Sequence, residues 1–259
     1  MDYHVHTEAS LDAKGTMEEF VKKAKRANID EIGFSDHIML SNISGYPCMP
    51  VHLMSAYVQK FLRTKESSDL PIKLGVEMDF IPGDVEKIRE FVQKYPFDYV
   101  IGAVHFIGDW AVDYSPQIYE YLKRDILQVY KEYFTLVKKL CDCGLFDVLA
   151  HPDLVKIFGF KPKNDISNIL TETAEAMAKS KICVEINTSG LRKTCSEIYP
   201  SEQFLKIIHS YDIPIVFGSD AHEPKDVGKN FKEAIKLAKK AGYTHACAFD
   251  HREKVLVKI

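Results

Sequence analysis

Six short apolar runs, spread from residue 2 to residue 220 of a 259-residue chain, each carry or end in a histidine, an aspartate or a glutamate. The series is His4 and His6 in Asp2-Tyr-His-Val-His6, with Asp12 just after; His37 in Ser35-Asp-His37; Glu77 in Gly75-Val-Glu77; His105 in Gly102-Ala-Val-His105; His151 in Ala150-His-Pro-Asp153; and Asp220 with His222 in Gly218-Ser-Asp-Ala-His222. Successive side chains of a strand point to opposite faces, so His4 and His6, with Val5 between them, project the same way and can grip one ion. Asp220 and His222 repeat that two-residue spacing. A ligand-type residue closing run after run is hard to explain as core packing. It is what an active site at the C-terminal face of a parallel barrel requires. Imidazole nitrogens and carboxylate oxygens suit Zn²⁺, Mn²⁺ or Fe²⁺, and nine of them exceed what one ion accepts. The chain therefore reads as a multinuclear metallohydrolase.

Strand-like segments fall near residues 2–6, 31–36, 72–78, 98–105, 146–150, 181–187 and 214–219, with a further apolar stretch at 244–249. Helical periodicity fills 17–28, 53–66, 84–94, 117–143, 166–180, 201–211 and 225–241. Regular βα alternation predicts an α/β fold, a parallel sheet covered by helices. An open sheet would spread six strand ends over some ~25 Å, whereas a barrel brings them together. A barrel of about seven strands is the expectation, as one domain over residues 1–259, because no Gly/Ser/Pro-rich linker interrupts it. The irregular segments 37–51, 106–116, 154–163 and 188–200 all follow strands and become the candidate substrate loops.

With 34 Lys+Arg against 37 Asp+Glu, the net charge of −3 counts against a nucleic-acid or acidic-membrane surface as the main function. The first strand follows Met1 directly, leaving no room for a signal peptide, and no apolar run approaches the ~18 residues of a membrane span. A cytoplasmic protein is expected. Its six cysteines lack C-x-x-C spacing and read as reduced thiols, with Cys141-Asp-Cys143 a helix end rather than a metal pair.

Taken together, Asp2-Tyr-His-Val-His6, Ser35-Asp-His37, Gly75-Val-Glu77, Ala103-Val-His105, Ala150-His-Pro152 and Gly218-Ser-Asp-Ala-His222 resemble, in order and over almost the whole chain, the successive motifs of the PHP (polymerase and histidinol phosphatase) superfamily. Asp98-Tyr-Val-Ile-Gly-Ala-Val-His-Phe106, and Asn187-Thr-Ser-Gly-Leu-Arg-Lys193 followed by Tyr199-Pro-Ser201, are similar to its histidinol-phosphatase branch. The resemblance implies a distorted TIM-like (βα)₇ barrel, up to three divalent metal ions, and hydrolysis of L-histidinol phosphate to L-histidinol and inorganic phosphate in histidine biosynthesis. It implies one ion on His4, His6, Glu77 and Asp220, a second on Glu77, His105 and His151, and a third on Asp12, His37 and His222, with Glu77 bridging. Some relatives carry histidine at the position of Asp12, and the harder carboxylate oxygen would shift that ion's preference toward Mn²⁺ or Fe²⁺.

The chemistry expected of such a site follows from charge. A phosphate monoester dianion repels hydroxide, and clustered divalent ions both neutralise the phosphoryl oxygens and lower the pKa of a bridging water, permitting in-line attack. Glu77 and Asp220 are thus catalytic candidates beyond simple ligation. Arg192, after a strand end and freed to turn by Gly190, is a candidate phosphate clamp, since its planar fork matches phosphate oxygens; the alternative is a solvated surface arginine. Lys156 and Lys193 are weaker versions of the same idea. Asp153 could orient a ligand or protonate the leaving alcohol. Asp79, Asp113, Tyr114 and Trp110 could meet an ammonium or an imidazole, although aromatics beside strand ends more often pack. Two rival functions stand beside this one. Another PHP-family phosphoesterase could act on nucleotides or nucleic-acid ends, against which counts the lack of basic stripes with stacking aromatics. A silent metal-binding domain is the other, against which stands the full set of ligands. The expected partner is a small phosphomonoester, with no nucleic acid and no membrane; oligomeric state is open.

Overall fold

The strands are short, and what makes a fold of them is that the first one is hydrogen-bonded on both sides. In the computed structural model, which describes every residue except Asn42 and Ser44, strands β1 (Ile32–Phe34), β2 (His37–Ile38), β3 (Ile72–Leu74), β4 (Glu77–Asp79), β5 (Ile101–Ala103), β6 (Phe106–Ile107), β7 (Trp110–Ala111), β8 (Val148–Leu149), β9 (Cys183–Asn187) and β10 (Ile215–Gly218) precede a terminal pair, β11 (His245–Asp250) and β12 (Glu253–Lys258). Parallel pairing runs β10-β9-β8-β5-β4-β2, and β1 pairs with β3 in the same two segments. Residues 2–6 close the ring. Gly33 N donates to Asp2 O at 2.8 Å and Ser35 N to Val5 O at 2.9 Å on one side; Tyr3 N donates to Phe217 O at 3.2 Å and His6 N to Ala221 O at 2.9 Å on the other. The result is a seven-segment parallel barrel, distorted where the second and third segments break between β1 and β2 and between β3 and β4.

The barrel axis is filled by Tyr3, Tyr99, Ile101, Val148, Cys183 and Val216, and the β11–β12 hairpin adds Cys247 and Phe249 to the same cluster. Tyr99 Oη donates to Tyr3 O at 2.7 Å, and Phe249 N donates to Tyr3 Oη at 3.2 Å. Gly33 is required here by close approach: a methyl group on it would be driven into the Tyr99 ring. Arg252, in the hairpin turn, donates to Asp147 Oδ2 at 2.8 Å and Leu145 O at 2.7 Å, pinning the hairpin beneath β8.

Helices α1 (Met17–Arg26), α2 (Met54–Ser67), α3 (Val85–Lys94), α4 (Ile126–Cys143), α5 (Ser167–Ser180), α6 (Glu202–Ser210) and α7 (Phe231–Ala241) cover the outside. α1 shows the local logic. Thr16 caps it reciprocally with Glu19, acidic residues fill its first turn and basic ones its last, and Met17, Phe20, Val21 and Ala24 form the buried stripe.

Three sequence expectations need correction. The periodic stretch 117–143 is two elements, a 3₁₀ segment Ser115–Lys123 and then α4, because Asp125 adopts an extended conformation and its carboxylate accepts from Gln128 N. The stretch 225–241 starts in a short 3₁₀ turn, Pro224–Asp226, and becomes α-helical only at Phe231, after Gly228 (φ +64°) and Asn230 (φ +63°) take the left-handed region. The apolar stretch at 244–249 is one arm of an antiparallel hairpin whose other arm, β12, was not anticipated. Cys141 and Cys143 lie in the last turn of α4, ended by Gly144 at φ +65°, and no helix among the described residues is long and apolar enough to cross a membrane.

Candidate metal centre

Glu77 opens β4 with Cα register opposite His37, and its buried carboxylate is the hub of the C-terminal mouth. Its Oε2 lies 2.8 Å from His37 Nδ1, 3.2 Å from His4 Nε2 and 3.5 Å from His6 Nε2. Its Oε1 lies 2.9 Å from His151 Nε2 and 3.7 Å from His105 Nε2. Asp220 Oδ1 stands 3.4 Å from both His6 Nε2 and His222 Nδ1 and 3.8 Å from His4 Nε2. Asp12 Oδ2 stands 3.3 Å from His222 Nε2 and 3.6 Å from His37 Nε2. The fold thus gathers all nine ligand-type side chains singled out in the sequence. Four triplets drawn from them bring their ligand atoms within 4.8 Å of one another: His4/His6/Glu77, His4/His151/Asp220, His37/Glu77/His105 and His6/His37/His222. These cut across a simple partition into three ions: His37 reaches toward Glu77 and His105 as well as toward Asp12, and Asp12 belongs to none of them.

The residues fit a cluster of cations. His4 Nε2, His6 Nε2, His37 Nδ1, His151 Nδ1 and Glu77 Oε2 are buried without a properly aligned hydrogen bond among the described residues, which is costly unless something else neutralises them. Imidazole rings lie unusually close, His6 at 4.2 Å from His37 and 4.4 Å from His222. Burial opposes charge on His4, His37 and His105, but neighbouring carboxylates outweigh it: Glu185, Glu77 and Asp220 hold His4 well above the usual range, Glu77 and Asp12 bring His37 to about 9, and Asp79, Asp113 and Glu77 bring His105 to about 10. His6, buried and facing the other imidazoles, is pushed down to about 3. Burial would raise Glu77 and Asp220, yet the surrounding imidazoles hold both well below the ordinary carboxylate range.

A second layer, mostly illegible in the sequence, fixes these rings. Glu185 on β9 accepts from His4 Nδ1 at 2.6 Å through Oε1, and from His151 N and Asn187 Nδ2, each at 2.9 Å, through Oε2. Space for it comes from Gly218, where a methyl group would collide with Glu185 Oε1. Asp79 pairs with His105 Nδ1 at 2.7 Å. Ser10 Oγ lies 3.3 Å from His6 Nδ1 and donates to Asp36 at 2.7 Å. Asn187 Nδ2 and Ser189 Oγ both donate to Asp220 Oδ2, leaving Oδ1 to the imidazoles. Asp220 does not extend β10: at φ +52° it turns back over the mouth, and His151 is also at positive φ, +22°. Strained backbone of this kind belongs to positions fixed by their surroundings. The signal that could have revealed Glu185 was a carboxylate inside the otherwise apolar run Ile182-Cys-Val-Glu-Ile186.

The remaining candidates divide. Arg192 Nη2 donates to Ser219 O at 2.7 Å and Asp220 O at 3.2 Å, which seats the guanidinium on the back of the Asp220 turn, and its buried Nη1 has no partner among the described residues. Lys156 does not have the free ammonium a phosphate contact needs. It is buried with Nζ 2.8 Å from Asp153 Oδ2, 2.9 Å from Ile198 O and 3.3 Å from Glu197 Oε2, so its three donors are engaged. Asp153 also accepts from Ser201 N at 2.8 Å, and Lys193 is exposed beside Arg192. Trp110 packs against Tyr121 and under Arg124. A cavity of about 790 Å³ among the outer helices, lined by Phe134, Leu170, Leu191 and Leu237, holds none of the nine clustered side chains, and we place the chemistry at the cluster.

A parallel barrel with imidazoles and carboxylates crowded at its C-terminal mouth defines a metal-dependent hydrolase. The chain belongs to the PHP domain family, which it matches over residues 2–189, and it matches the PHP-associated family over residues 202–233. A Deinococcus radiodurans protein named "Probable histidinol-phosphatase" is 31% identical over 97% of this chain and 97% of its own length. The Lactococcus lactis protein named histidinol-phosphatase is 27% identical, over 96% and 94%. Among solved structures, the histidinol phosphate phosphatase of Lactococcus lactis, complexed with Zn, L-histidinol and phosphate, shares the fold with a TM-score of 0.86 at 24% identity, covering 98% of both chains.

Proposed function

We infer that this protein is a histidinol-phosphate phosphatase, a metal-dependent hydrolase that converts L-histidinol phosphate to L-histidinol and inorganic phosphate in histidine biosynthesis. The observation that carries the chemistry is the convergence of five imidazoles on Glu77, three of them through nitrogens, His4 Nε2, His6 Nε2 and His37 Nδ1, that are buried without an aligned partner among the described residues. Chain-long similarity to proteins named histidinol-phosphatases supports the substrate. The reading extends to one domain over residues 1–259, supported by a core cluster that runs from Val5 to Val227. It extends also to the cytoplasm, where charged phosphate esters are retained because they do not cross bilayers.

His4, His6, Asp12, His37, Glu77, His105, His151, Asp220 and His222 would hold two or three ions of zinc, manganese or iron. Divalent ions at such a site neutralise phosphoryl oxygens and make a water nucleophilic at neutral pH. The chain's own contribution is placement. Glu77 spans the cluster with both oxygens, and Asp220, braced from behind by Asn187 and Ser189, aims Oδ1 inward. Glu185 and Asp79 fix the rings of His4 and His105 so that the outer nitrogens face the mouth. Arg192 offers Nη1 to the phosphoryl group while Nη2 stays anchored. Lys193 adds positive charge at the rim, and Asp153 with Lys156 braces the turn that carries His151.

The test is phosphate release by metal-reconstituted protein from histidinol phosphate, nucleoside monophosphates, sugar phosphates and a short single-stranded oligonucleotide. Histidinol phosphate should exceed every other member by at least about tenfold in kcat/KM, the discrimination a few specific contacts supply. Equal rates across the panel would remove the substrate while leaving the phosphoesterase.

A further inference from the structure

The ring of strands places two opposite charges on opposite sides of its mouth. Arg192 is tied to the end of β10, and Asp113 stands beside the end of β5, three segments away in one direction and four in the other. Asp113 is held there by a small built unit. The β6–β7 hairpin pairs Phe106 with Ala111, and Val112 N then donates to His105 O at 2.8 Å, so Asp113 follows directly on the backbone that is tied to His105. Tyr121 Oη donates to Val112 O at 3.0 Å and holds that backbone in place.

Only half of the Asp113 carboxylate is used. Oδ2 accepts from Tyr46 Oη at 3.0 Å, while Oδ1, buried, has no partner among the described residues. The tyrosine that holds it belongs to an aromatic wall. The Tyr46 ring lies 4.8 Å from Phe106, 5.8 Å from His105, 6.3 Å from Tyr114 and 6.4 Å from His37. Met39, Phe106 and Ala111 form a small apolar cluster with these tyrosines, separate from the main core. An unpaired carboxylate oxygen held at an aromatic wall matches a flat ring that carries an N–H and is able to bear positive charge.

We propose that Asp113, positioned by Tyr46, is the specificity-determining residue that accepts the ring N–H of the substrate's imidazole. The inference rests on the histidinol-phosphate reading and gives that substrate a direction in the site. Its phosphoryl group lies toward Arg192 and the metal cluster. The imidazole, separated from phosphorus by an ester oxygen and three carbons, is the end that reaches the far wall. The ammonium, only two carbons from the ester oxygen, stays nearer the centre.

The test uses reconstituted holoenzyme and three esters: histidinol phosphate, 3-(imidazol-4-yl)propyl phosphate, which keeps the ring and lacks the amine, and ethanolamine phosphate, which keeps the amine and lacks the ring. In Asp113→Asn, the kcat/KM ratio of each ring-bearing ester to ethanolamine phosphate should collapse by about 10- to 100-fold, chiefly through KM, as expected for loss of a hydrogen bond to a charged group. Metal content and melting temperature should match the parent. Tyr46→Phe, which keeps the ring and removes the donor that holds Asp113, should move the same ratio in the same direction by a smaller factor, and L-histidinol should inhibit both variants less strongly. Equal losses on all three esters would show that Asp113 serves the metal cluster, and a loss that follows the amine would assign it to the ammonium; either overturns the proposal. If the parent itself does not prefer histidinol phosphate to ethanolamine phosphate, the substrate reading fails and takes this one with it. A parent that discriminates and an Asp113→Asn that discriminates equally would sink this proposal alone.

Discussion

At the scale of single residues, the metal-ligand types were legible because their chemistry contradicts their surroundings: imidazoles and carboxylates at the ends of apolar runs have few roles other than ligation. Their partners were not. Glu185 and Asp36 carry the same functional group as surface carboxylates, and only folding shows which ones face inward. Arg192 separates the two kinds of claim. Its position after a strand end suggested a phosphate contact, while its anchorage on the carbonyls of Ser219 and Asp220 is a structural fact that no sequence pattern encodes. Arg192→Ala should lower kcat/KM for histidinol phosphate by roughly 10²-fold, with fold and metal content retained, because a charge-assisted contact in a water-poor site contributes a few kcal/mol. Arg192→Lys should recover part of the loss, since a point charge lacks the fork. Inorganic phosphate should inhibit Arg192→Ala less than the parent. Unchanged kinetics and unchanged phosphate inhibition would leave the guanidinium a structural prop for the Asp220 turn.

At the scale of elements, β-strand positions followed from apolar runs and turn residues, but their lengths did not. The run 31–36 holds only β1 and gives way to β2 just beyond it, and the run 72–78 breaks into β3 and the start of β4, because Ser35 and Asp36, and Gly75 and Val76, leave regular strand pairing. The hairpin arm β12 is not legible in the sequence because all six of its residues are exposed, so burial imposes no alternating pattern on them. Gly33 gives the element scale its test. With Tyr99 filling the barrel axis against it, Gly33→Ala should destabilise the fold by about 1–3 kcal/mol, the cost of overpacking a closed interior, seen as a lower denaturant midpoint. Tyr99→Leu in the same background should relieve part of that loss, since it removes the ring that the new methyl meets. A Gly33→Ala protein as stable as the parent would mean that the barrel can widen around Tyr99.

At the scale of the whole molecule, six of the seven barrel segments deliver ligands to one point and the seventh, β9, braces them through Glu185, so the site and the barrel are a single object. Metal binding should therefore report on global stability. Reconstituted protein should contain at least two transition-metal ions per chain and melt several degrees above chelator-treated protein, since a ligand present at 1,000 times its Kd stabilises by about 4 kcal/mol and a protein near this size gains roughly 2–4 °C per kcal/mol. Coincident melting curves with and without metal, or a stoichiometry of one or less, would uncouple the ions from the fold.

The closing of the ring by residues 2–6 also sets the order of events during folding. Asp2 accepts from Ser219 N and from Gly228 N, both at 2.9 Å, contacts that join positions 217 and 226 residues apart. Pairings of such sequence separation come late and slowly, because the entropy of closing so large a loop is lost before the contact returns anything. His4 and His6 at one end of the chain and Asp220 and His222 at the other are therefore expected to meet late. A nascent or refolding chain would carry its imidazoles apart for most of that time, and tight capture of ions would wait for the final strand to dock.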